Sequence, residues 1–122
     1  MIFPDWAGYL RFRDDFEEVM DPRFYTIGWL DQRVLDGSVR LWCSDEAAII
    51  AEIKVYPAGG MVVHGLIAAG ELDGIRTLIP LAEEWGRSEG CVEAGIESRE
   101  GWSRALRQDG YAVHQIALRK EL

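Results

Sequence analysis

The chain has 122 residues and is 48% hydrophobic, which fits one domain with a packed core rather than a disordered segment. Thirteen Lys and Arg against 21 Asp and Glu leave a net charge of −8. Such a surface repels nucleic-acid phosphates and anionic membranes, so direct nucleic-acid binding and a membrane partner are not expected. Arg99, Arg104, Arg107, Arg119 and Lys120 are the late basic residues from which a local patch would have to be built.

In chain order, residues 3–20 place Trp6, Tyr9, Leu10, Phe12, Phe16 and Val19 at roughly helical spacing, which predicts a helix beginning near Asp5. Asp21 and Pro22 predict the start of a second helix, as cap and first helical residue, with Gly37 as its stop. The absence of an apolar run beside Asp5 and Arg11 predicts no leader peptide, and no stretch approaches the ~20 apolar residues of a membrane span.

Two alternating segments follow. Val39, Leu41 and Cys43 share one face of the first. In the second, Ile49, Ala51, Ile53 and Val55 face one way and Ile50, Glu52, Lys54 and Tyr56 the other. With turns at Ser44-Asp45-Glu46 and Pro57-Ala58-Gly59-Gly60, and a third strand at 61–67, residues 38–67 read as three antiparallel strands. Cys43 and Cys91, placed in strands and lacking metal-ligand spacing, read as small apolar residues.

The second half reads helix, strand, helix, strand. Leu72, Ile75, Leu78, Ile79, Ala82 and Trp85 form a broad face over 72–88, and Pro80 predicts a kink or boundary near Thr77. Gly90 ends this helix, and the length of the crossover lets the strand from Cys91 run parallel to 61–67. A helix over 100–109, ended by Gly110, and a last strand over 111–119 complete the chain. The expected fold class is α+β, a single domain with a mixed sheet flanked by helices.

This order over Met61 to Arg119, with Gly110-Tyr111 after the helix in GWSRALRQDGY, resembles the second half of the GNAT acyl-CoA N-acyltransferase fold. The segments VRLWCSDEAAIIAEIKVYP, VVHGLIAAGELDGI, LAEEWGRSEGC and GWSRALRQDGY together resemble small tailed-phage and prophage proteins described as acyltransferase-like. The resemblance implies an acetyl-CoA pyrophosphate site at Ala69, Gly70, Glu71, Leu72, Asp73 and Gly74, where backbone N–H groups meet a helix N-terminus. Glu71 and Asp73 stand where phosphate oxygens would sit, and they also suit the helix dipole. The tyrosine that many GNAT enzymes use to protonate the leaving thiolate corresponds here to a position near Leu106.

Glu93 and Glu97 share one side of their strand, where a carboxylate can deprotonate an attacking amine, and His64 offers an imidazole base. His114 alternates with Ala112 and Ile116, as core histidines do, and Tyr111 reads as core. Trp42, opposite Leu41, reads as an exposed contact, whereas Trp102 either closes the cleft or packs beneath it. The leading expectation is a phage- or prophage-type protein without a cofactor, acting through a protein partner as a virion or assembly component or host-factor inhibitor. Its expected location is the host cytoplasm or the virion. The alternative is an acetyl-CoA-dependent N-acyltransferase acting on a cationic amine, and a third reading is acidic mimicry of nucleic acid.

Overall fold

A strand buried along both faces needs cover on both sides. The segment Ala47-Ala48-Ile49-Ile50-Ala51 is buried without alternation. The computed structural model, which describes residues 5–98 and 100–122, supplies that cover. Strands β1 (Arg40–Cys43), β2 (Ala47–Val55), β3 (Met61–Gly70) and β4 (Glu93–Ile96) form one sheet in the order β1-β2-β3-β4. The first three are antiparallel and β4 runs parallel to β3, as expected.

Helices α1 (Trp6–Val19) and α2 (Ile27–Leu35) lie on one face, where Tyr9, Phe12, Phe16, Leu30 and Val34 pack with Ala48 and Ile50. Helix α3 (Leu72–Glu89) covers the other, where Ile75, Leu78 and Ala82 meet Ile49, Ala51 and Val63. Burial of each large apolar side chain contributes about 1.5–3 kcal/mol. Asp5 caps α1 by accepting from the Gly8 N–H at 2.8 Å. Across the helix pair, the Tyr9 hydroxyl donates to Asp31 at 2.6 Å while Arg13 grips the same carboxylate at 2.9 and 2.8 Å.

Four expectations need correction. Asp21 does not cap α2. Its carbonyl and carboxylate close a separate turn with Arg23, Phe24 and Tyr25, and α2 begins at Ile27 with Thr26 as its cap. Pro80 makes no boundary, since α3 runs unbroken from Leu72 to Glu89. Trp42 is not an exposed contact, because its ring lies 5.5 Å from that of Trp85, under α3. Finally, residues 111–122 form no strand. After α4 (Glu100–Ala105) and a 3₁₀ turn at Arg107–Asp109, the chain continues without β-pairing, and His114 lies on this exposed segment. Alternation alone cannot make a strand where no neighbouring edge is engaged.

Candidate functional site

The site originates in unequal strand lengths. Strand β4 pairs with β3 only from Val62 opposite Glu93 to Gly65 opposite Ile96, yet β3 continues to Gly70. At the same place the pairing with β2 jumps from Ile67 opposite Ile50 to Gly65 opposite Ala51, leaving Leu66 as a bulge. Beyond Gly65 the two parallel strands therefore separate, and a cleft of about 260 Å³ opens between β3, β4 and α3. Its walls are largely apolar, with Val63, Ile75, Ile79 and Ile96, and Trp102 lines the cleft without filling it.

Of the three candidate acid–base residues, the fold brings two together. Glu97, one residue past β4, lines the cleft, and its Oε1 lies 3.7 Å from His64 Nε2 and 3.8 Å from Lys54 Nζ. His64 Nδ1 faces Glu52 at 3.5 Å, and Glu52 is 3.6 Å from the Arg33 guanidinium. Glu97 is 79% exposed, whereas the His64 side chain is 13% exposed and its Nε2 is buried without a hydrogen bond. Glu93, opposite Val62 at the far end of β4, is exposed and does not line the cleft.

Sequence reasoning missed Glu83 and misplaced Tyr111. Both line the cleft, and the Tyr111 hydroxyl donates to Glu83 at 2.8 Å. Burial, reinforced by that carboxylate, pushes the Tyr111 hydroxyl well above its ordinary range, so it donates a hydrogen bond but yields its proton poorly. The available signal was spacing, because Glu83 follows Ile79 and Ile75 at intervals of one and two turns. Leu106, at the position matched to the family's tyrosine, is fully buried.

The six residues proposed for pyrophosphate span a strand end and a helix start. Ala69 and Gly70 pair with Ala48 and Ala47 inside β3, Glu71 is the N-cap of α3, and Leu72, Asp73 and Gly74 form its first turn. Gly70 has φ of +102°, and a Cβ there would lie 2.2 Å from the Glu46 carbonyl oxygen, so only glycine fits. The Glu71 N–H already donates to that carbonyl at 3.1 Å. Asp45, Glu46 and Asp73 line the adjoining recess. The nearby cations are engaged: Arg11 lies 3.6 Å from Asp45, and Arg76 bonds Asp109 at 2.9 and 3.1 Å. That pairing holds the Asp109 carboxyl below its usual range.

Among the described residues no group of three His, Cys, Asp or Glu is placed to hold a metal, and no helix is long and apolar enough to cross a membrane. Cys43 and Cys91 are free thiols, each pushed up by burial.

No protein-family model matches the sequence. The search of curated proteins gives no match either. Solved structures do match. A glucosamine-6-phosphate N-acetyltransferase from Arabidopsis thaliana superposes with TM-score 0.69 at 11% identity, over 99% of this chain and 94% of that one. The fold is GNAT-like. An acetyltransferase from Trypanosoma brucei gives TM-score 0.66 at 17% identity, over 97% and 93% of the two chains. A predicted acetyltransferase from Clostridium acetobutylicum, solved with acetyl-CoA, gives 0.66 at 8% identity, over 97% and 89%. At these identities the likeness concerns the GNAT-like fold, and chemistry has to be argued from the cleft.

Proposed function

We propose that the chain is an N-acyltransferase that takes the acyl-bearing arm of acetyl-CoA in the cleft and transfers the acetyl group to a cationic amine. The observation that supports this reading is the opening beyond Gly65 and Ile96, with Glu97 on its lining and the buried His64, outside the lining, 3.7 Å from Glu97. Acetyl-CoA supplies an activated thioester when bound. The apolar walls exclude water from it. The C–N bond forms as the thioester C–S bond breaks, Glu97 accepts the proton that the amine loses, and CoA departs as the thiol with a proton taken from solvent. His64 Nε2 lies 3.7 Å from Glu97 on the buried side, with Glu52 and Arg33 behind it. The negative surface favours an amine such as a Lys side chain, a polyamine or an aminoglycoside.

The acidic recess weakens phosphate binding without closing the site. The Asp45 and Asp73 side chains are 99% and 96% exposed, so their repulsion acts through water. Such a pair costs about 1 kcal/mol at 4 Å and is screened by salt. The same recess favours a second reading, a phage- or prophage-type protein that has lost acyl transfer and acts through protein contacts.

Thiol release from acetyl-CoA, assayed against those three amine classes, separates the two. The first reading predicts turnover, with Glu97→Gln lowering kcat by about 100-fold. The KM for acetyl-CoA should stay within about twofold. Absence of release with every amine, at near-millimolar acetyl-CoA, would leave the second reading.

A further inference from the structure

Acyl transfer needs its acceptor amine within reach of the base, directly or through one water. One amine of the chain already stands near that place. Lys54, on β2, puts its Nζ 3.8 Å from Glu97 Oε1, and Glu97 lines the cleft. Lys54 itself lies outside the lining, and its side chain is 37% exposed. Its flexible four-carbon stem can therefore carry Nζ toward the cleft mouth.

The residue type is informative. Of the 13 basic residues only Lys54 and Lys120 are lysines. Ion pairs elsewhere are made by guanidinium groups, as at Arg13, Arg33 and Arg76. A guanidinium keeps its protons, whereas an ammonium can release one and become a nucleophile. As a structural tie the Lys54 pair is weak. It is 1 Å longer than the Arg13–Asp31 contact of 2.8 Å, and its carboxylate is open to water, which screens it.

We propose that Lys54 is a self-acetylation site, modified within its own chain by acetyl-CoA held in the cleft. The inference rests on the acyl-transfer reading. Glu97 takes one proton from the Lys54 ammonium, and Nζ attacks the thioester carbonyl. The C–N bond forms as the C–S bond breaks, Nζ sheds a second proton to solvent, and CoA departs as the thiol with a proton taken from solvent. The product amide is uncharged, so the ion pair to Glu97 is lost.

Peptide mass spectrometry of the full chain incubated with acetyl-CoA alone, over time and at two protein concentrations, tests this. Lys120, on the exposed tail outside the cleft lining, is the internal control. Thiol release with the three amine classes is measured on the same preparation. The expected result is acetyl on Lys54 about 100-fold faster than on Lys120, at a rate independent of protein concentration. Glu97→Gln should slow the Lys54 reaction by a similar factor and leave Lys120 unaffected. Lys54 acetylated already on purification, but not in the Glu97→Gln variant, supports the proposal equally. Equal labelling of the two lysines, a Lys54 rate that rises with protein concentration, or one insensitive to Glu97→Gln would overturn it. Thiol release to added amines with Lys54 unmodified would overturn it and leave acyl transfer standing, whereas neither release nor modification would overturn both.

Discussion

Tyr9, Arg13 and Asp31 show how a few residues fasten one face of the molecule. Tyr9 is fully buried, and its hydroxyl has Asp31 as acceptor at 2.6 Å. Tyr9→Phe keeps the packed ring and removes a hydrogen bond to a charged group, so urea unfolding should show a loss of about 1.5–3 kcal/mol. The Arg13 hydrogen bond, with help from Tyr9 and against the opposing effect of burial, holds the Asp31 carboxyl below its ordinary value. A folded-state value below the unfolded one means stabilisation that is present above the unfolded value, near 4, and lost as pH falls through the folded value. Asp31→Asn should therefore show a shallower fall in stability between about pH 5 and pH 2 than the parent. At this scale the sequence was informative about residue types and poor at partners. Glu93 and Glu97 were readable as one side of a strand, but the register decides that only Glu97 reaches the cleft and His64. Tyr9 was readable as core, but nothing in its spacing pointed to Asp31, which sits on another helix.

At the scale of elements, α3 sets the width of the cleft. Gly86 packs against Val63, and a Cβ there would lie 2.6 Å from Val63 Cγ1. Gly86→Ala should lift the helix from the sheet, lowering thermal stability by about 1–3 kcal/mol. Thermal melts of the variant beside Gly28→Ala, where an added Cβ meets nothing within 4 Å, check this. The helix itself was legible because its apolar face repeats every three to four residues, and Pro80 left it unbroken because packing on the sheet outweighs one lost hydrogen bond. Strands β1 to β3 were legible from alternation and turn chemistry. The missing last strand was not, since periodicity reports a segment's preference and pairing depends on where the rest of the chain puts an edge. The start of α2 was misplaced for a related reason: Asp21 offers a good cap, but its carboxylate is taken by Arg23.

For the whole molecule, the resemblance in element order led to the GNAT-like fold, and the solved structures agree. The sequence could not show whether the cleft was open. That depends on β4 ending at Ile96 while β3 runs on, and on Trp102 standing at the wall. The charge of −8 and the acidic recess at α3 give the molecule an unusual electrostatic signature for a site that would receive phosphates. A basic phosphate site loses affinity as salt rises, whereas an apolar cleft approached against like charge gains it, because screening removes repulsion and leaves the buried contacts.

Calorimetric titration with acetyl-CoA at low and at physiological ionic strength tests this account most directly. The account predicts binding that tightens on adding salt. It also predicts that Glu71→Gln with Asp73→Asn strengthens the low-salt affinity and reduces the salt effect. No binding at millimolar acetyl-CoA under either condition would contradict it and would turn attention to a protein partner.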